Sequence, residues 1–308
     1  MNPDVAARVH GVEGPPVPTT AVEDPPVPTT AGDASGDALA LQRLRADIIS
    51  HDSVPSAPIV LLEIFRVIDD DGDLHRLFTA IERDGGLTAR ILRMANSSFF
   101  GQSRTVGTVE RAVLVLGVAM VRSLAVSAAV FEAVGNGLPA VQVDLIWRHS
   151  LATGMAARAL AARTGIGDHD EAFTAGLLHE TGRMLLARRF PEFYRALPPA
   201  GTMLVEVEER AVLGVDHAIV GGWLFDSWQL PRAIVDAVAQ HHASAPSPGL
   251  PTSVAAANLL TRYPDGSVLL ADATDPHAAA ARAAAAACSL TPESWAEVAA
   301  GPRGGARS

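Results

Sequence analysis

Apolar residues recur along this chain at three- and four-residue spacing, in a series of short segments that glycine, proline or an asparagine-serine pair brings to an end. Such spacing puts one apolar stripe on each helix, and a stripe of that kind needs partner helices to cover it. The segments fall at 38–49, 59–68, 74–81, 87–95, 109–116 and 118–134 in the first half, where no alternating strand pattern occurs. In the second half they fall at 143–163, 171–189, 205–213, 217–228, 231–242, 253–261 and 276–290. The fold class read from this pattern is all-α, as two packed helical subdomains. Gly135-Asn136-Gly137-Leu138-Pro139 is the strongest internal break, which places the first subdomain at 38–135 and the second at 140–265. An alanine-rich helical extension is expected over 266–300, where Thr291-Pro292 reads as a cap and first turn.

The first 37 residues follow a different rule. Pro15-Pro16-Val17-Pro18-Thr19-Thr20-Ala21 is repeated as Pro25-Pro26-Val27-Pro28-Thr29-Thr30-Ala31. Proline at that density removes donors and fixes φ, so residues 1–37 are expected to form a disordered tail. The acidic run Asp69-Asp70-Asp71-Gly72-Asp73 superficially resembles a calcium loop, but the twelfth position from Asp69 is Ala80 where a bidentate Glu is needed. It reads as a solvated turn. A formal charge of -10 argues against broad binding to nucleic acid or anionic lipid. The single Cys288 excludes an internal disulfide and a thiolate metal cluster, so any metal must be held by histidine and carboxylate. With no apolar run of eighteen residues and no leader-like N-terminus, the expected place is the cytoplasm, without a membrane span. Gly85-Gly86 and Gly221-Gly222 lack the lysine of a phosphate loop, and Ser150 lacks a nucleophile elbow.

Chemistry concentrates in histidines that lie on the apolar segments: His149, His179 next to Glu180, His217, and the pair His241-His242. Their setting includes Leu87-Thr88, Leu92, Ala95-Asn96-Ser97, Phe100-Gly101, Ala112 and Leu116-Gly117. It continues with Trp147-Arg148-His149-Ser150, Ala175-Gly176-Leu177-Leu178-His179-Glu180-Thr181-Gly182-Arg183 and His217-Ala218-Ile219-Val220-Gly221. In that order, over roughly residues 45–264, these pieces resemble the HDOD family, a helical output or adaptor domain related to the HD-type metal-dependent phosphohydrolases and common in bacterial signalling.

The resemblance implies that the second subdomain is an HD-type helical bundle. It also implies where the chain departs from its catalytic relatives. The His-Asp pair of those enzymes is His179-Glu180 here, one methylene longer, and Asn258 stands where the pattern leads one to expect Asp. Fewer anionic ligands weaken a dication site. The sequence therefore points to a non-catalytic signalling module that binds or relays to a partner acting in trans, with no metal or other cofactor expected and a possible link to cyclic-di-nucleotide pathways. The competing reading is a divergent phosphodiesterase or phosphatase in which His149, His179, Glu180, His217, His241, His242 and Asn258 hold iron, manganese or zinc. A third is a metal-free nucleotide sensor whose histidines and Arg183 contact phosphate. Arg183 is equally explained as a surface arginine at a helix end.

Overall fold

A computed structural model describes residues 34–50, 54–58, 78–79, 81–83, 85–96, 105–197, 205–265, 267–270 and 278–299. The expectations for the proline repeats, the 59–68 helix, the acidic run at 69–73 and the Phe100-Gly101 turn lie outside the described residues. No strand occurs among those described.

The chain opens with α1 (Ala34–Ile48), then α2 (Gly85–Ala95), α3 (Val109–Leu116), α4 (Val118–Gly135), α5 (Ala140–Thr164), α6 (His169–Leu178), α7 (Thr181–Arg189) and α8 (Pro191–Ala196). It continues through α9 (Val205–Leu213), α10 (His217–Ser227), α11 (Arg232–Ala239), α12 (Leu250–Arg262), α13 (Ser267–Leu270), α14 (Ala278–Ala287) and α15 (Pro292–Ala299). Helix α1 starts at Ala34, before residue 38 where the disordered tail was expected to end; the last tail proline is Pro28, and nothing after it removes a helical donor.

Within residues 42–308, which form one compact unit, α2, α3 and α4 pack together, and α4, which ends at Gly135, also lies against α6 and α7 from beyond the break at 135–139. Helices α5, α6 and α12 form the centre of the second half, with α10 between α7 and α11. One apolar core is continuous from Ile91 and Val109 through Phe131 and Phe173 to Phe225 and Trp295. The α5–α6 contact is close because both helices offer glycine: a Cβ on Gly176 would lie 2.6 Å from the Gly154 Cα. Helix α4 is the one described helix long and apolar enough to cross a membrane, with mean hydropathy 1.6, and 72% of it is buried within the protein. The C-terminal helices cover α12, where Trp295 is fully buried and its indole N–H donates to the Tyr263 carbonyl at 2.9 Å.

Local caps fix where the helices begin. Thr108, in an extended conformation before α3, accepts from the Arg111 N–H at 3.2 Å and so satisfies one donor of the first turn. Replacing it by alanine is expected to cost about 1 kcal/mol. Urea denaturation would show this as a lower midpoint with unchanged slope, and an unchanged midpoint would rule the cap out as a contributor.

Two helices expected from the sequence differ in a way that matters for the site. The apolar pattern over 171–189 predicts one helix, but the chain breaks after Leu178 and restarts at Thr181, leaving His179-Glu180 at the junction. The pattern over 231–242 predicts a helix up to His242, yet α11 ends at Ala239 and His241-His242 lie in the turn beyond it.

Candidate metal centre

Each histidine is brought in by a different part of the bundle: His149 by the middle of α5, His179 by the α6–α7 junction, His217 by the first residue of α10, and His241 and His242 by the turn after α11. The α6–α7 junction is pressed against α10 because Gly182 has no side chain. A Cβ there would lie 2.0 Å from the His217 carbonyl oxygen and 2.5 Å from the Gly221 nitrogen. That contact brings His179 and Glu180 up to His217.

The five imidazoles turn their Nε2 atoms towards one another. His179 Nε2 is 3.3 Å from His149 Nε2, while His217 Nε2 is 3.3 Å from His241 Nε2 and 3.1 Å from His242 Nε2. The His179 and His241 rings, meeting edge-on with centroids 4.8 Å apart, join the two sets. Glu180 Oε1 lies 3.7 Å from His149 Nε2, 3.6 Å from His179 Nε2 and 3.7 Å from His217 Nε2. The extra methylene of Glu180 thus carries its carboxylate to the middle of the cluster. Asn258, on α12, places Oδ1 3.1 Å from His149 Nε2.

The opposite edges of the rings set their tautomers. His179 Nδ1 donates to the Gly176 carbonyl at 2.7 Å, His241 Nδ1 to the Val238 carbonyl at 2.7 Å, and His217 Nδ1 to Glu209 Oε2 at 2.6 Å. A neutral ring that donates from Nδ1 has a bare lone pair on Nε2. His217 and His241 therefore face each other at 3.3 Å with no proton to share when both are neutral. Glu180 Oε1 is also buried without a hydrogen bond.

These are the features of a cation site. Lone pairs that converge at such distances, and a buried carboxylate oxygen with no donor, are satisfied together by a divalent metal, and outer carbonyls and carboxylates commonly fix the ligand rings. The donors form two groups that share Glu180: Glu180, His217, His241 and His242 in one, and His149, His179 and Glu180 in the other. The donor set suits iron, manganese or zinc.

The electrostatics agree with the geometry. Burial pushes the imidazolium form of His149, His179 and His242 down, and His241 down to about 3 with His217 beside it adding to the effect. Burial acts on His217 too, but there Glu209 and Glu180 outweigh it and raise its affinity for a proton. Burial would raise the Glu180 carboxyl, yet His217, Arg183, His179 and His149 around it hold it well below the usual carboxylate range. The centre therefore offers four neutral imidazoles and an ionised carboxylate, the forms that ligate, while His217 holds its proton more firmly and gives it up on ligating.

All seven residues singled out in the sequence, His149, His179, Glu180, His217, His241, His242 and Asn258, meet at this place. Four neighbours were not read from the sequence. Glu206 and Glu209 on α9 are both buried, Glu209 accepting from the His217 N–H at 2.8 Å and from the Tyr194 hydroxyl. Arg262, on the last turn of α12, lies 3.3 Å from Glu206 Oε2 and 3.7 Å from Glu180 Oε1. Within the apolar-striped segment 205–213, the i, i+3 spacing of Glu206 and Glu209 is the one signal that places those two on one face. Arg183 is not a surface cap: it pairs with Glu180 Oε2 at 3.4 Å, and its Nε is buried without a hydrogen bond.

The helical fold that carries this cluster is shared with several solved structures. The chain aligns with a protein assigned as a phosphohydrolase from Shewanella amazonensis SB2B at 25% identity and TM-score 0.62, over 85% of this chain and 93% of that one. It aligns with an HDOD domain protein from Geobacter sulfurreducens at 22% identity and TM-score 0.65, over 85% and 97%. A protein assigned to signal transduction from Marinobacter aquaeolei VT8 aligns at 22% identity and TM-score 0.65, over 86% and 62%. Residues 54–244 match the HDOD domain, and the chain belongs to that family. An uncharacterized protein of Treponema pallidum (strain Nichols) is 29% identical over 248 residues, 73% of this chain, and the chain spans 45% of the length of that curated relative.

Proposed function

We propose that this HDOD module keeps a divalent-metal centre and hydrolyses phosphoesters with it. The observation that carries this reading is the approach of the His149, His179 and His217 Nε2 atoms to within 3.7 Å of the buried, unbonded Glu180 Oε1, with the Nε2 atoms of His241 and His242 beside that of His217. His149, His179, Glu180, His217, His241 and His242 would hold the metal, and Asn258 adds a neutral oxygen beside His149. A divalent cation bound there supplies Lewis acidity towards a phosphoryl oxygen and acidifies water.

The chain's own residues supply the rest. His149 is the most open of the five rings, its side chain 25% exposed against 5% or less for His179, His217 and His242, so substrate approaches from its side. Arg183, 17% exposed, presents a guanidinium whose Nε has no bond within the protein, and Arg262 brings a second cation to the same carboxylate. Two such forks suit the non-bridging oxygens of a phosphoryl group. Both flank the ligands without being ligands themselves.

The test is hydrolysis of a chromogenic phosphodiester, the matching monoester and a cyclic dinucleotide by the manganese-loaded chain. Release of product that chelator and His179→Ala both abolish is expected, in protein whose helical circular dichroism is unchanged. Folded, metal-loaded protein without turnover on any of the three would overturn the hydrolytic part of the proposal.

Partner capture in trans is a second reading, and one feature favours it. Val141 and Leu145 are 69% and 62% exposed one turn apart on α5, an apolar face outside the centre. Val141→Glu with Leu145→Glu would abolish capture by a signalling partner and leave hydrolysis intact.

A further inference from the structure

The two donor groups of the centre are not backed alike. On the side of His217, His241 and His242, two buried carboxylates of α9 stand behind His217 and His242, and the Val238 carbonyl stands behind His241. Glu209 takes both the Nδ1 proton and the backbone N–H of His217, at 2.6 and 2.8 Å, and Glu206 Oε1 lies 3.6 Å from His242 Nδ1. On the side of His149 and His179 the Gly176 carbonyl behind His179 is neutral, and the Asn258 amide, which meets His149 at its Nε2 edge, brings no charge either.

An anionic partner behind an imidazole makes the ring a stronger donor and fixes its orientation, while a neutral one does the second only. The Glu209 carboxylate is itself held on both oxygens, by His217 and by the Tyr194 hydroxyl, so it cannot swing away.

We infer that the centre is built unequal: Glu209, with Glu206, makes the His217, His241, His242 and Glu180 group a tight cation site, and the His149, His179 and Glu180 group a weak one. This rests on the proposed metal centre. Glu209 is then a positioning residue that acts through His217. The weak site lies on the open side, where a cation exchanges with solvent and meets substrate, and the tight site lies beneath it.

Titration of the full-length apo chain with manganese, by calorimetry, tests this. The expected curve has a tight class and a separate weak class. Glu209→Gln, which keeps an oxygen towards His217 but removes the charge, is expected to weaken the tight class about 10–100-fold and leave the weak class in place. Tyr194→Phe, which keeps the charge and removes one restraint, shifts the tight class in the same direction by less. Asn258→Asp strengthens the weak class alone. A destabilised but folded Glu209→Gln protein would lower both classes together, and that result, like two equal classes in the parent chain, overturns the inference while leaving the metal centre standing. No manganese binding by the parent chain overturns both.

Discussion

Replacing His217 by alanine is expected to abolish metal retention through gel filtration, a larger loss than any other single ring would cause. His217 is the node of the cluster: its Nε2 is within 3.3 Å of His241 and His242 and 3.7 Å of Glu180, and its other edge is the partner of Glu209. Removing it deletes a ligand, frees the orientation of two others and separates Glu209 from the tight group. The affinity loss should exceed the roughly 10–100-fold that removal of an outer partner costs. The same substitution leaves the Glu209 carboxylate buried with only the Tyr194 hydroxyl and the backbone N–H, and an uncompensated buried charge costs about 3–5 kcal/mol. His217→Gln, which can still donate towards Glu209, should recover much of that stability without recovering the metal. Elemental analysis and thermal melts of the two variants separate these effects. Metal content equal to the parent in His217→Ala would remove His217 from the site.

The second large effect is expected at a residue that offers no ligand atom of its own. In Gly182→Ala the new methyl would lie 2.0 Å from the His217 carbonyl oxygen and 2.5 Å from the Gly221 nitrogen, both backbone atoms that no rotamer change can move. Helices α7 and α10 must separate. Overpacking of this kind usually costs about 1–3 kcal/mol and more where backbone has to shift, and here the upper end applies. For a chain of this size about 3 kcal/mol lowers the melting temperature by roughly 6–12 °C. The separation also draws His179 and Glu180 away from His217, so affinity for the cation falls with stability. A Gly182→Ala protein with the parent's melting temperature would contradict the close approach of the two helices.

The helical nature of the chain was legible because its apolar spacing is local information. Helices α3 and α9 occupy the predicted 109–116 and 205–213, since Gly117 closes one and Gly214 follows the other. The break at His179-Glu180 was not legible: Leu177, Leu178, Met184 and Leu185 keep an apolar pattern across it, and the interruption places side chains that only the folded bundle brings together. The end of α11 at Ala239 has the same character. Helical geometry continued to His242 would set the two rings 100° apart, whereas in the turn both reach His217.

The clustered histidines were readable as a set, through their residue types and order. Their strength was not. Read singly, Glu180 for Asp and Asn258 for Asp both suggest a weakened site, but the longer Glu180 still reaches three imidazoles, and Glu206 and Glu209 bring buried carboxylates from a helix that the sequence does not connect with the histidines. Charge lost at one ligand position and present behind another is a property of the packed structure.

The most direct measurement is elemental analysis of full-length protein purified without chelator and without an affinity-tag metal, alongside His179→Ala prepared in the same way. Iron, manganese or zinc near stoichiometric with the chain is expected, and its loss in the variant while the fold persists. Protein that carries none of these metals, and takes up none after incubation with each, would contradict the metal centre and leave the partner-binding reading.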